Sequence, residues 1–155
     1  MQVVLLAVGR LRSYYRDACD DYLRRLRRYA RVEEREVRET PGVSPAVGRR
    51  RDDAALLQRL PEHATLIGLT RAGSPWTSRE LAARLDRWRE GAKPLVLAIG
   101  GSHGLGPDLL DRATAQWSLG PLTLPHELAR VVVVEQVYRG FTILAGERYH
   151  KGGER

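Results

Sequence analysis

The sequence predicts an α/β fold, a single-domain parallel-type sheet flanked by helices. Three observations lead there. Short continuous apolar runs at residues 2–8 (QVVLLAV), 64–70 (ATLIGLT) and 95–99 (LVLAI) have the length of strands buried on both faces. Between them, apolar residues recur at three- and four-residue steps, the period of an amphipathic helix. Strands and helices in alternation imply a parallel layer, and 155 residues suit one domain over residues 1–155.

The first run stops at Gly9 and suits a central strand. Ser13 is the expected N-cap of the first helix, whose apolar stripe reads Tyr15, Ala18, Tyr22, Leu26 and Tyr29. Arg24, Arg25, Arg27 and Arg28 fall toward its end, where cations suit the helix dipole. Cys19, the only cysteine, reads as a small buried side chain rather than a nucleophile, and it rules out an intramolecular disulfide. Residues 32–37 (VEEREV) are so charged that a strand there belongs at a sheet edge. Residues 40–47 (TPGVSPAV) read as a loop, after which Arg49, Arg50 and Arg51 head a helix to about residue 60. The run at 64–70 enters a loop at residues 71–75 (RAGSP). Ser78 then caps a helix carrying Leu81, Leu85 and Trp88 on one face.

The run at 95–99 ends on Gly100 and Gly101, followed by Ser102-His103-Gly104-Leu105-Gly106. Glycines at this density permit positive φ or let a ligand approach the backbone. A second backbone-rich loop, residues 118–126 (SLGPLTLPH), follows one helix later. Together the two loops make a pocket for a small flat ligand. The spacing G-G-x-x-G-x-G is not the dinucleotide motif G-x-G-x-x-G, and it lies late in the chain. Open parallel sheets bind ligands beyond the carboxyl ends of their strands. The loops after Thr70 and Ile99 and at residues 120–126 occupy such positions.

Residues 128–145 contain Val131, Val132, Val133 and Val134, which favour a strand on propensity. Yet no breaker interrupts residues 127–139, Pro125 precedes them and Gly146 can close the end, so a helix is expected. Val131, Val134, Val137, Tyr138 and Phe141 pack one side, and dimerisation is a natural cover for so apolar a helix.

No apolar run approaches the ~20 residues of a membrane span, no charged-then-apolar signal segment opens the chain, and no Cys/His cluster has metal-ligand spacing. A soluble, cytoplasmic, metal-free protein is expected. Of the net charge of +7, residues 10–51 hold +6, from 13 Lys/Arg against 7 Asp/Glu. The preference for 24 arginines over two lysines is a composition bias, but bias does not explain the clustering. A concentrated basic face fits a polyanion such as RNA.

The motifs IGGSHGLG, WSLGPLTLPH and RVVVVEQVYRGFTI and the terminal RYHK stand in one order, with VVLLAVGRL at the start and LIGLTRAGSPWTSRELAARL between. Together they resemble the small SPOUT-class methyltransferases, in particular the branch that methylates N3 of a pseudouridine in large-subunit (23S) ribosomal RNA. The resemblance runs through nearly the whole chain and is weakest at residues 32–59. It implies a homodimer and a C-terminal trefoil knot spanning about residues 68–146, an exception to unknotted topology that periodicity cannot reveal. It also implies S-adenosyl-L-methionine as cofactor, held around Leu69, Thr70, Gly101, Gly120, Pro121, Leu122, Thr123, Leu124 and Pro125. Thr70 and Gly120 depart from the acidic and small polar residues common there, which touches ligand contacts and leaves the backbone role intact. For the base that takes the N3 proton, His126, at a predicted helix N-terminus, stands beside Tyr149 and His150 in the tail. Arg130 or Arg139 would hold base or phosphate. Arg24, Arg25, Arg49, Arg50, Arg51, Arg139 and Lys151 are the expected RNA contacts. A SPOUT enzyme for another nucleoside and a non-enzymatic RNA-binding assembly factor remain the alternatives.

Overall fold

The computed structural model describes residues 1–149. Its elements run β1 (Gln2–Val8), α1 (Ser13–Leu26), β2 (Arg31–Val37), α2 (Pro45–Gln58), β3 (Thr65–Pro75), α3 (Ser78–Glu90), β4 (Leu95–Ile99), α4 (Pro107–Leu110), β5 (Ala115–Ser118) and α5 (His126–Leu144). The five strands form one parallel sheet in the order β2-β1-β4-β3-β5.

β1 shows why the first apolar run is continuous. Val3, Leu5 and Ala7 pack toward α1, α3 and α5, while Val4, Leu6 and Val8 pack toward α2 and α4. Both faces are covered, so alternation would leave a polar side chain in a core. Each fully buried Leu or Val here contributes about 1.5–3 kcal/mol relative to exposure. β2 lies at the sheet edge, as its charge requires, and β4 keeps its expected limits.

Several local expectations are corrected. Ser13 is the first residue of α1; Arg12 stands at the N-cap without a side-chain capping bond. The reason is tertiary, because the Arg12 backbone N–H and its Nε both donate to Glu127 at the start of α5, at 2.7 and 2.8 Å. The fully buried residues of α1 are Cys19, Leu23 and Leu26, and Tyr29 lies beyond its end. α2 begins at Pro45, because Ser44 accepts from the Val47 N–H and proline suits the first helical turn. Thr77, not Ser78, caps α3, in a reciprocal capping box with Glu80. Residues 71–75 are strand rather than loop, since β3 runs on to Pro75 and pairs with β5. β5 itself was not expected from the sequence, being four residues long at the other sheet edge. α5 is a helix despite its valines, with Val133, Val134, Val137, Tyr138 and Phe141 buried.

A pocket at the carboxyl ends of β3, β4 and β5

Where β3 meets β5, Leu69 and Ser74 both pair with Trp117, so the intervening residues bulge out of the ladder. This bulge, the glycine loop after β4 and the loop between β5 and α5 converge on one pocket. Of the residues expected to bind a cofactor, Leu69, Thr70, Gly120, Leu122, Thr123 and Leu124 line it, and His126 joins them. Ile99, Gly100, Gly104, Trp117, Leu119 and Ala129 complete a largely apolar wall, and Arg71 is its one permanently charged side chain. Leu122 is 75% exposed, which leaves a large apolar side chain open at the pocket rim.

The glycine loop is tight. The Gly104 N–H donates to the Gly101 carbonyl at 3.1 Å, and Gly104 takes φ +74°. A Cβ on Gly100 would stand 2.6 Å from the Gly104 carbonyl carbon and 2.8 Å from the Leu105 nitrogen, so only glycine fits. Opposite, the Gly120 N–H donates to Ser118 Oγ at 3.1 Å.

α2 and the segment before it hold the glycine loop in place. Asp53, fully buried, accepts from the Gly106 N–H at 2.9 Å and the Leu109 N–H at 3.2 Å, one bond to each carboxylate oxygen. Glu39 accepts from the Ser102 N–H at 2.7 Å and from the Ser102 hydroxyl. That hydroxyl is the main cause holding the Glu39 carboxyl below its ordinary value. Arg49 donates to the His103 carbonyl at 3.4 Å, and the His103 ring lies 3.3 Å from the Thr40 carbonyl. Asp52 is buried beside Thr40, and desolvation pushes its carboxyl up.

The remaining expected site residues lie elsewhere. Gly101 does not line the pocket: a Cβ there would meet Glu39 Oε1 at 2.6 Å and Val8 Cγ1 at 3.0 Å. Pro121 and Pro125 belong to the pocket loop without lining the cavity, and Pro125 serves as N-cap of α5. Arg130 is 1% exposed. It bonds Glu36 through Nη1 and donates from Nη2 to the carbonyls of Val8 and Gly9, at 3.2 and 2.9 Å. Its guanidinium therefore ties α5 to the end of β1 and faces no open site. Tyr149 packs edge-on against Tyr138 and donates to Glu135 at 3.0 Å. Burial first, then a hydrogen bond with Tyr22, pushes its hydroxyl well above the ordinary phenol value. Arg139 pairs with Glu135 and lies over the Tyr149 ring. His150 and Lys151 lie outside the described residues.

The expected RNA contacts fall on two faces. Arg24 and Arg25 end α1 and pair with Asp21, on the same side of the sheet as Arg139 of α5. Arg49, Arg50 and Arg51 stand on α2, across the sheet. The sequence marks Gly100 and Gly104 as glycines of a pocket loop without choosing them as cofactor contacts, and it misses Arg71, Trp117 and the anchors Glu39 and Asp53. The double glycine was a visible signal, but which of the pair faces the pocket depends on the exit geometry of β4. Asp53 left no signal, being one acid beside another in an arginine-rich helix.

The fold is that of the SPOUT-class methyltransferases, and the chain belongs to that family: a model described as "Predicted SPOUT methyltransferase" matches residues 1–150. The chain is similar to "Ribosomal RNA large subunit methyltransferase H" of Rubrobacter xylanophilus, 46% identical over 96% of this chain and 98% of that protein. Proteins of the same name from Gloeobacter violaceus and Anaeromyxobacter sp. are 46% and 44% identical, covering 98% and 97% of this chain and all of theirs.

Proposed function

We propose that this protein is an S-adenosyl-L-methionine-dependent methyltransferase acting on N3 of a pseudouridine in large-subunit ribosomal RNA, as a cytoplasmic homodimer whose residues 68–146 form the family's knotted unit. The convergence of the β3 bulge and of the two loops at the carboxyl ends of β4 and β5 on one apolar, backbone-rich pocket carries the reading. The names of the relatives supply the RNA class.

The residues present suit the cofactor. Adenine needs apolar walls and backbone partners, which Leu69, Leu122, Leu124, Gly100 and Gly120 offer. A cationic sulfonium is compatible with such a lining, and Arg71 is available to the carboxylate end of an amino acid. When bound, the cofactor supplies an already activated methyl group. The chain's own task is alignment, worth up to ~7–11 kcal/mol, and removal of the N3 proton. His126 is the pocket residue able to accept that proton. Within one chain Arg130 and Tyr149 are engaged elsewhere. Tyr149, His150 and Lys151 enter this reading as a tail that completes the partner's site. For the dimer, the supporting features are the exposed Leu122 and the half-buried Val131, Val132, Ile143 and Leu144 of α5.

The test is calorimetric titration with S-adenosyl-L-methionine, followed by mass spectrometry of ribosomal RNA after incubating large subunits with protein and cofactor. One methyl on a pseudouridine is expected. Absence of cofactor binding would refute the enzyme reading; methylation of another nucleoside would refute only the substrate.

A further inference from the structure

A second, more polar cavity of about 1010 Å³ lies at the carboxyl ends of β1 and β2, beside the last turn of α2. Arg10, Arg38 and Arg59 line it together with Glu36 and Glu39. The two carboxylates are already engaged: Glu36 bonds the buried Arg130 and lies 3.6 Å from Arg16, and Glu39 holds Ser102. The three arginines are exposed, and among the described residues no ion pair, side-chain hydrogen bond or ring contact occupies their guanidiniums. Against the three arginines only Glu39 brings a carboxylate not paired with a cation, so the cavity carries net positive charge on a rim of planar donors, a match for phosphate oxygens. Its volume exceeds that of one phosphate group.

Its position gives the charge a use. Glu39 reaches from this cavity to Ser102, and the same glycine loop lines the first pocket through Gly100 and Gly104. The two cavities therefore flank one loop. We propose that the second cavity is a phosphate-binding subsite for the RNA backbone, where Arg10, Arg38 and Arg59 hold the strand so that its target base reaches the pocket across the glycine loop. This inference rests on the RNA-methyltransferase reading above. None of these three arginines was among the expected contacts.

The test is the salt dependence of RNA binding. A single-stranded polyuridylate is titrated with the dimer over a series of potassium chloride concentrations, for the parent and for the triple variant Arg10→Ala, Arg38→Ala, Arg59→Ala. Losing three phosphate contacts lowers the slope of log K against log salt by about 2, at roughly 0.7 per contact on a single strand. The corresponding triple lysine variant, which keeps the charges, retains most of the slope. An unchanged slope in the alanine variant overturns the proposal. So does a parallel loss of S-adenosyl-L-methionine affinity, which would make this cavity part of the cofactor site. Should the triple variant not fold, each single alanine variant is expected to lose about 0.7 of slope, and no loss in any of them overturns the proposal equally. Failure of the parent to bind cofactor at all would instead count against the enzyme reading, so the two failures are distinguishable.

Discussion

Asp53 offers the most direct perturbation of the pocket, because it reaches the glycine loop without touching the cavity. Asp53→Asn keeps the shape and one acceptor but puts an amide N–H against a backbone N–H. Whichever way the amide turns, one of the Gly106 and Leu109 N–H groups loses its acceptor inside the protein. A buried donor left unpaired costs about 1–3 kcal/mol, and no water relieves it at a fully buried site. Taking ~2 kcal/mol for a chain of this size, the melting temperature falls by about 4–8 °C. The loop that loses its anchor also forms the pocket wall, so part of that energy must be restored before cofactor binds. If all of it were, affinity would fall by at most about 30-fold, since 1.4 kcal/mol is tenfold. Urea unfolding and calorimetric titration of the same variant give both numbers. Stability within about 0.5 kcal/mol of the parent would refute the anchoring argument. A destabilised variant with parent affinity would refute the coupling of anchor to pocket.

Gly100→Ala is expected to reduce cofactor affinity far more than Gly101→Ala, because the first Cβ meets backbone of the same loop and the second meets side chains only, the end of Glu39 and a methyl of Val8. Equal losses by calorimetry would erase the distinction between the two glycines. Arg130→Ala should cost about 3 kcal/mol in urea unfolding, the low end for a broken buried pair, because Glu36 keeps some contact with water while the Val8 and Gly9 carbonyls lose their donor. A loss below about 1 kcal/mol, with methyl transfer abolished, would return Arg130 to a catalytic role. For Glu39 the folded carboxyl titrates below its unfolded value, so its contribution to stability is complete above the ordinary carboxylate range and is lost as pH falls through the lowered value. Glu39→Gln should therefore flatten the fall in unfolding free energy at acid pH, and a slope identical to the parent's would remove the Ser102 anchor.

The strands that form the centre of the sheet were legible because each is buried on two faces and so reads as an unbroken apolar run. β5 was not, since four residues ending in Trp117 and Ser118 carry no period. The extension of β3 through residues 71–75 was hidden for a related reason: RAGSP has turn composition, and only pairing with β5 makes it strand. Helix starts misled by one residue at Ser13 and Ser78. At the first, Glu127 fixes Arg12 from a distance of 115 residues, which no local pattern contains. The pocket loops were legible as glycine- and proline-rich segments at strand ends. Which of their side chains face the cavity was not, because that depends on how the bulged β3 meets β5.

Charge was the most legible feature and the one most altered by folding. The basic excess at residues 10–51 reads as one face, but β2 brings a row of glutamates into the middle of it. Arg16 pairs with Glu34, Arg35 with Glu33, and Arg12 with Glu127 from α5. Arg24 and Arg25 share Asp21. These pairs are partly exposed and contribute little stability each, yet they reduce the net charge that part of the segment presents to a polyanion. Among the arginines left without carboxylates, Arg10, Arg38 and Arg59 surround one cavity and Arg50 and Arg51 are exposed on α2, while Arg27 and Arg31 are exposed at the end of α1 and the start of β2. The helix that carries Arg50 and Arg51, with Arg59 at its C-cap, also carries Asp53. α2 thus links the unpaired cations to the anchor of the glycine loop.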